Sequence, residues 1–305
     1  MTIDRVARFR ADIAESPEAL ARLLDGWTTD PLVGRRRLAF TGLGSSRYAA
    51  LIVAAHLRSS GASAWVDHAS SSRSTAPAQD LALVAISASG RTREVLETAE
   101  RHRGRSLVVG VTNDPGSPLA DASDVVVPLR AGEETAGVAC RTFRATVAAL
   151  ALATGAVVTD ELRPTVDAIA FRLAGQEAWL LPFADGLDGA PSIDVLADAT
   201  RLGLAEQAAL MLREAPRLPA RAGETGDWLH TAVYLALPGH RALLYPGSAG
   251  DAEVIDTIVR RGGEVLRVDR APGGSIVSAI VDSVVAEVVG AELWQRADAR
   301  SSDEG

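Results

Sequence analysis

Hydroxyl side chains cluster at the turn formed by residues 87–92, between a predicted strand and a predicted helix. Ser87, Ser89 and Thr92 surround Gly90 there, and the first-turn amides of the following helix point outward. The helix dipole favours an anion at this position, so hydroxyls and amides together predict a phosphate cradle that needs no lysine. The alternative is a plain serine cap, because Ser and Gly are common where helices begin.

Two further polar turns follow predicted strands. Gly44, Ser45 and Ser46 come after the predicted strand 37–41, and residues 112–117 end the predicted strand 106–112. Ligands of open parallel sheets bind outside the carboxyl ends of the strands. The three turns together favour a binding site over a set of unrelated helix caps.

The elements that must position these turns alternate along the chain. The apolar run 81–86 predicts a strand covered on both faces, and residues 92–102 predict the helix after it. The alternation resumes in the second half, with a predicted strand at 193–197 and a predicted helix at 202–214. Strand–helix alternation implies parallel pairing with right-handed crossovers. We therefore predict an α/β fold with two mostly parallel sheets flanked by helices.

Residues 182–191 collect Pro, Gly and Asp, which predicts a linker over 182–190. The expected domains are residues 1–181, with an N-terminal helix and the phosphate turn, and residues 191–305, with the second sheet. Residues 4–25 predict helix with a break at Ser16, because a capping residue precedes proline there.

Composition narrows the class of protein further. The formal net charge is −8 and no basic stripe is present, so neither nucleic acid nor an anionic membrane is an expected partner. The N-terminus has no apolar signal core, and Cys140 is the single cysteine, so we expect a cytoplasmic protein. No histidine shows metal-ligand spacing, and neither a metal nor a cofactor is predicted. The sequence contains no lysine, so no side chain can form a lysine Schiff base.

The combined turns resemble the SIS (sugar isomerase) domain family. The turn 87–92 resembles the family's phosphate loop, and the likeness continues through residues 44–46, 112–117 and 132–139. It covers nearly the whole chain as two tandem SIS domains, the type found in the isomerase half of glucosamine-6-phosphate synthase and in sugar-phosphate deglycases. Each domain would then be a flavodoxin-like three-layer sandwich. The resemblance implies phosphate binding by Ser87, Ser89, Thr92, Ser45 and Ser46, and substrate binding by Gly44, Ala88, Gly90, Glu134 and Val138.

Two residues of the second half take catalytic roles on the same resemblance. Glu214 ends a helix that resembles the family helix with a catalytic glutamate, and His230 ends a segment that resembles the family's histidine motif. Glu214 would be the general base at the sugar's C1–C2 carbons, and His230 the general acid or an aid to ring opening. The residues alone also allow an exposed helix-end glutamate and a packing histidine. In relatives this histidine reaches the neighbouring protomer, which implies a homodimer with a shared active site.

The departures from the family restrict the reaction. The lysine with which the synthase binds the open-chain sugar is absent, so the ammonia-transferring reaction is not expected. The resemblance implies instead a deglycase or deaminase, or an aldose–ketose isomerase, acting on a hexose 6-phosphate derivative. The alternative from a different class is a non-catalytic sugar-phosphate sensor or regulatory subunit.

Overall fold

The structure is a computed structural model that describes residues 2–303, with side chains described from residue 5 to residue 301. The first elements in chain order are α1 (Thr2–Ala14), α2 (Ser16–Asp25), β1 (Arg37–Gly42), α3 (Ser45–Ser59), β2 (Ser63–His68), β3 (Ala82–Ile86), α4 (Arg93–His102), β4 (Leu107–Thr112), α5 (Pro118–Asp121), β5 (Val125–Pro128), α6 (Arg141–Thr154) and α7 (Thr159–Ala174). The later elements are α8 (Leu180–Leu187), β6 (Ile193–Ala197), α9 (Leu202–Glu214), β7 (Ala220–Glu224), α10 (Thr225–His230), β8 (Arg241–Tyr245), α11 (Asp251–Arg260), β9 (Glu264–Arg267) and α12 (Ser275–Asp303).

The first sheet has the strand order β2-β1-β3-β4-β5, and all its strand pairs are parallel. All five residues of β3 are buried, which agrees with the continuous apolar run in the sequence. Val95 and Ala99 of α4 join a core cluster with Leu83 of β3, while α3 contacts β1 and β2. The strand order reverses between β1 and β3, and such a reversal opens a crevice at the carboxyl ends of the two strands.

The second sheet has the order β7-β6-β8-β9 and is also fully parallel. Its order matches that of the first four strands of the first sheet, with the reversal between β6 and β8. All five residues of β6 are buried, α9 packs against β6 and β7, and α12 packs against α9. The predicted α/β fold with two parallel sheets flanked by helices is thus confirmed.

The strand β7 is absent from the sequence-based prediction. Its residues, Ala220 to Glu224, include Arg221, Gly223 and Glu224 and no β-branched or aromatic side chain, so local propensity gives no strand signal. Pairing with β6 along the whole of β7 stabilises the strand instead. Tertiary contacts therefore override local preference at this position.

The segment predicted as a linker is largely helical. α8 covers residues 180–187, and Pro182 lies in its first turn, where the backbone amide has no intrahelical partner to lose. Gly186 is required by packing, because a Cβ added there would lie 2.8 Å from a methyl carbon of Leu266. The Pro/Gly cluster therefore marks a helix that packs closely against β9, and the expected linker over 182–190 is not observed.

The chain divides into two compact units that differ from the predicted domains. The first-sheet unit comprises residues 16–133 and 141–166. The second-sheet unit takes the rest of the described chain, including α1 and the loop 134–140. The division falls within α7 and not in the segment 182–190.

Two properties of the described residues bear on partners. Among residues 2–303, none of the helices combines the length and apolar character needed to cross a bilayer. Over the same range no group of three or more His, Cys, Asp or Glu side chains is placed to hold a metal ion.

Candidate functional site

The serine turn and the first polar turn lie at the same edge of the first sheet. Gly44 follows β1 and Ser87 follows β3, and these two strands are hydrogen-bonded neighbours in which Thr41 pairs with Ala85. Both turns therefore flank the crevice where the strand order reverses, the place at which open parallel sheets bind ligands. The fold brings together five residues predicted to bind phosphate, namely Ser45, Ser46, Ser87, Ser89 and Thr92.

The hydroxyls of the serine turn have different roles in its geometry. Ser87 Oγ and Thr92 Oγ1 are hydrogen-bonded to each other at 2.8 Å, and the Thr92 amide lies 3.4 Å from Ser87 Oγ. Ser89 Oγ accepts a hydrogen bond from the Arg91 amide at 3.2 Å. Ser87 is buried whereas Ser89 is exposed. Ser87 and Thr92 thus shape the turn, and Ser89 is the hydroxyl best placed to meet an incoming ligand.

Two helices begin at the crevice without a side-chain cap. Gly44 precedes α3 and Thr92 precedes α4, and neither residue makes a capping hydrogen bond through its side chain. The first-turn amides of an uncapped helix need another acceptor, and the positive end of the helix dipole favours an anionic one. Both helix ends are therefore suited to the oxygens of a phosphate group.

The position of Gly90 in the serine turn requires a glycine. Its φ is +64°, in the left-handed region, and an added Cβ would lie 2.0 Å from Ser117 Oγ and 3.0 Å from Thr112 Oγ1. The close approach lets the serine turn pack on the amino end of α5. The sequence singles out Gly90 as part of the phosphate turn, and the structure supplies the steric reason for it.

The third polar turn supports the serine turn from the adjacent strand. The Ala88 carbonyl accepts hydrogen bonds from Thr112 Oγ1 at 3.1 Å and from the Asn113 amide at 2.9 Å. Ala88 therefore contributes its backbone to a fixed loop. Residues 112–117 were predicted at this edge, and Thr112 and Asn113 contact the loop itself.

An ion pair lies at the exposed rim of the serine turn. Arg91 Nη1 lies 2.6 Å from Asp114 Oδ2, and both side chains are exposed. The hydrogen bond from Arg91 lowers the pKa of Asp114, so this carboxylate is ionised at neutral pH. The carboxylate neutralises the nearest guanidinium of the turn, so hydroxyls and amides are the groups of the turn left to interact with an anion.

Glu214 is the last residue of α9, in the second-sheet unit. Burial raises the pKa of its carboxyl group above the usual value, and the charge of Arg213 acts in the opposite direction. Glu214 as a whole residue is exposed, so water still reaches it and limits the size of the shift. A carboxylate that is accessible and has a raised pKa has the properties of a general base.

The loop 134–140 is held in the same unit as Glu214. Glu134 accepts a hydrogen bond from the Cys140 amide at 2.6 Å, which closes the loop on itself. Gln207 of α9 donates to the Ala139 carbonyl at 2.8 Å, so the loop is tied to the helix that carries Glu214. Val138 is buried. Of the two residues predicted to bind substrate here, Glu134 therefore shapes the loop and Val138 packs inside it.

His230 ends the short helix α10 and is exposed. Glu224 caps this helix by accepting a hydrogen bond from the Asp227 amide at 2.7 Å. Trp228, two residues before His230, is buried in the core of the second-sheet unit. Helices α9 and α10 both contact β7, so this strand, which was not predicted, connects the elements of Glu214 and His230.

The equivalent crevice of the second sheet is filled by the chain's own charges. Asp198, after β6, accepts hydrogen bonds from Thr200 and Arg201, and Asp251 accepts from the amides of Gly247 and Ser248 after β8. The groups that could hold an anion here thus already have internal acceptors. The second sheet repeats the order of the first four strands of the first sheet, and in its crevice Asp198 and Asp251 accept the hydrogen bonds.

Comparison with known proteins identifies the class. Residues 32–156 match the SIS domain family, so the chain contains a SIS domain over the segment that carries the serine turn. This match confirms the resemblance for residues 32–156, and the second SIS domain stays a prediction. The glutamine–fructose-6-phosphate aminotransferase [isomerizing] of Aeropyrum pernix is 31% identical over 258 residues, and the protein of the same name from Pyrobaculum aerophilum is 29% identical over 249 residues. The matches cover 75% of this chain but only 42% and 41% of those relatives.

Solved structures share the fold over nearly the whole chain. The C-terminal domain of glucosamine-fructose-6-phosphate aminotransferase from Francisella tularensis has a TM-score of 0.80 at 17% identity and covers 94% of this chain and 96% of its own. Glucosamine-6-phosphate deaminase from Thermotoga maritima has a TM-score of 0.74 at 19% identity, with coverage of 96% and 95%. Tagatose-6-phosphate ketose/aldose isomerase from Escherichia coli has a TM-score of 0.73 at 16% identity, with coverage of 95% and 92%. Proteins named for three different reactions share this fold, so the fold alone does not select the reaction.

Proposed function

We propose that the chain is an enzyme that binds a hexose 6-phosphate derivative and abstracts a proton at C1 or C2 with Glu214. The reaction is removal of an amine from the sugar or aldose–ketose isomerisation, with His230 as the general acid. The observation that carries this proposal is the raised pKa of Glu214 at the end of α9. A carboxylate is a competent base near neutral pH when its pKa is moved toward the working pH.

The crevice of the first sheet supports a phosphorylated substrate. Exposed Ser89, the uncapped amino ends of α3 and α4, and the tight turn at Gly90 offer hydrogen-bond donors to a phosphate. Fixing the phosphate end of a sugar orients its C1 and C2 carbons and lowers the entropic cost of the reaction. The relatives and the solved structures of this fold are named for sugar phosphates, which favours the same class of substrate.

The absence of lysine restricts the reaction further. A sugar carbonyl held as an imine requires a primary amine, and none of the side chains of this sequence supplies one. Proton transfer by a carboxylate and an imidazole has no such requirement. We therefore favour amine removal or isomerisation over transfer of ammonia to the sugar.

The proposal includes the organisation of the active protein. Two tandem SIS domains, each a flavodoxin-like three-layer sandwich, form a cytoplasmic homodimer in which the exposed His230 completes the partner's site. The exposure of His230 on a short helix with a buried anchor supports this arrangement, because a residue that serves a neighbour must be presented outward on a rigid support.

A thermal-shift screen tests the proposed substrate class, because a ligand of the folded state raises the melting temperature by mass action. We expect glucose, fructose and glucosamine 6-phosphates, or C1-amine adducts of fructose 6-phosphate, to stabilise the chain, and the free sugars to have no effect. Ser89→Ala should weaken the stabilisation, and Ser59→Ala, at the opposite end of α3, is the matched control. A shift with no turnover of any of these compounds would favour the sensor over the enzyme.

A further inference from the structure

A buried carboxylate in the second sheet holds the strand and the helix that precede His230. Asp194 lies in β6, and its side chain is only 2% exposed. Trp228 Nε1 of α10 donates to Asp194 Oδ2 at 2.6 Å, and Arg221 of β7 bonds the same carboxylate through Nε and Nη2. Since β7 runs directly into α10, one carboxylate binds residues on both sides of this junction.

The rest of the Asp194 environment makes the contact rigid. Asp194 and Arg221 are paired residues in the register of β6 and β7, so their backbones are fixed relative to each other. His240 Nε2 lies 3.2 Å from Asp194 Oδ2, and His240 Nδ1 lies 3.0 Å from Ser192 Oγ. The rings of Trp228 and His240 lie 6.3 Å apart at a tilt of 31°. Both His240 and Trp228 are buried, so these contacts are shielded from water.

The charge of Asp194 is retained in spite of its burial. Burial alone would raise its pKa, but the adjacent side chains of His240, Arg221 and Trp228 outweigh this effect and lower the pKa. An ionised carboxylate forms stronger and more directional hydrogen bonds than a neutral group. It therefore fixes the rotation of the Trp228 ring more strictly than an apolar contact of the same size.

We propose that Asp194 is a positioning residue that sets the orientation of α10, and with it the direction in which His230 is presented. This inference rests on the proposed function, in which His230 acts as the acid. Within the described part of the chain the side chain of His230 makes no hydrogen bond, so its placement depends on the helix that carries it. Six residues are too few for a helix to hold its own orientation without such an anchor.

The test compares two buried aspartates of the same unit. Asp194→Asn keeps the size of the side chain and removes its charge. Asp282→Asn is the matched control, because Asp282 is also fully buried, pairs with Arg172 at 3.1 Å and Arg201 at 3.4 Å, and lies on α12, away from the β7–α10 junction. Hydrogen exchange of residues 225–235, followed by mass spectrometry, reports on α10 without any assay of activity.

We expect Asp194→Asn to speed hydrogen exchange of residues 225–235 at least tenfold and to lower kcat on the active hexose 6-phosphate roughly tenfold, with KM changed less than about twofold. Asp282→Asn should lose comparable thermal stability and keep kcat. Trp228→Phe should lower kcat as Asp194→Asn does. The double variant should lose little more kcat than either single variant, because both changes disrupt the same hydrogen bond.

Several outcomes would overturn the positioning role. Unchanged exchange of residues 225–235 in folded Asp194→Asn would show that the carboxylate does not hold the helix. A faster exchange with an unchanged kcat would show that the orientation of α10 does not matter to the reaction. An equal loss of kcat in Asp282→Asn would show that the loss of kcat in Asp194→Asn comes from lower overall stability. Failure of the proposed function would be visible separately, as full turnover in Glu214→Gln.

Discussion

Glu214 and His230 differ in how the fold holds their side chains. Glu214 ends a thirteen-residue helix packed on two strands, and burial of its carboxyl raises its pKa. His230 is exposed on a six-residue helix and depends on the buried Trp228 for its place. At the scale of single residues, burial of its carboxyl group suits Glu214 to the proposed role of base, and the helix α10 determines the placement of His230, the proposed acid.

Replacement of Glu214 should separate binding from chemistry. Glu214→Gln should lower turnover by about a hundredfold or more, the usual contribution of a general base, and leave the affinity for sugar phosphate unchanged. Glu206→Gln, on the same helix, is the control and should retain turnover. Steady-state kinetics and calorimetric titration of each variant supply the comparison, and normal turnover in Glu214→Gln would exclude it as the base.

The raised pKa of Glu214 also predicts a pH dependence. The base acts only when deprotonated, so kcat/KM should rise with pH through the pKa of Glu214. Because that pKa is raised from 4.5, the acidic limb of the profile should lie above pH 4.5. A profile of kcat/KM between pH 4 and pH 8 measures it, and activity that is flat down to pH 4 would contradict the prediction.

His102 predicts a pH dependence of stability in the first-sheet unit. Its ring is buried, with Nδ1 3.0 Å from Ser106 Oγ and Nε2 3.0 Å from the Thr75 carbonyl. Burial lowers the pKa of His102, although the hydrogen bond to Thr75 opposes the shift. The folded-state pKa of His102 therefore lies below the unfolded value of 6.5. The neutral buried ring contributes stability that is fully present above pH 6.5 and is lost as pH falls through the folded-state pKa.

Urea unfolding at pH 7.5 and pH 5.5 measures this effect. The free energy of unfolding should be lower at pH 5.5, and the difference should shrink in His102→Gln, which does not titrate. His56→Gln, a half-buried histidine of α3, serves as the control and should keep the full difference. An unchanged pH dependence in His102→Gln would rule out His102 as its source.

At the scale of elements, substitutions at Gly90 and Gly104 distinguish the cost of a left-handed backbone conformation from the cost of a steric clash in the serine turn. Gly90 and Gly104 both have φ in the left-handed region, at +64° and +69°. A Cβ added at Gly90 would clash with Ser117, whereas a Cβ added at Gly104 would have no neighbour within 4 Å. Gly104→Ala should cost about 1–2 kcal/mol of stability, the price of the backbone conformation. Gly90→Ala should cost ~1–3 kcal/mol more and weaken sugar-phosphate binding, because the serine turn must move.

Thermal melts and calorimetric titrations with the stabilising sugar phosphate test both glycine variants. Equal stability of the two variants would show that Ser117 can move away from the added Cβ without loss of stability. Unimpaired binding of the sugar phosphate by Gly90→Ala would show that the serine turn does not bind the phosphate group.

Most elements were predictable because their residues carry strong local signals. The apolar run of β3 and the Ser16-Pro17 break between α1 and α2 appear in the structure within a residue or two of their predicted places. β7 could not be predicted, because it has no β-branched or aromatic residue and is stabilised by its pairing with β6. α8 was mistaken for a linker because Pro182 and Gly186 are breakers in an isolated chain but fit a helix start and a close packing contact.

The candidate site was predictable to a different degree. The polar turns after β1 and β3 follow from their Ser, Thr and Gly residues and from the predicted parallel pairing, whereas the strand order comes from the structure. Asp194 gave no signal, because a single carboxylate within an apolar strand does not reveal which donors will reach it. The contacts of Trp228, Arg221 and His240 bring together residues up to 46 positions away from Asp194.

At the scale of the whole molecule, a shared site predicts complementation. Mixed Glu214→Gln and His230→Gln proteins should recover roughly a quarter of wild-type turnover, because half of the dimers would be mixed and each would hold one intact site. Sedimentation should show dimers for both variants. Exchange of subunits without recovery of turnover would place both residues of each site on one chain.

The proposed proton abstraction can be observed directly by NMR in deuterium oxide. The chain is incubated with glucose, fructose and glucosamine 6-phosphates and with C1-amine adducts of fructose 6-phosphate, and the C1 and C2 proton signals are followed. We expect the wild-type chain to exchange one of these protons for deuterium, and Glu214→Gln to bind the same compound without exchange. No exchange at C1 or C2 in any of these compounds, or exchange at the wild-type rate in Glu214→Gln, would contradict the proposal.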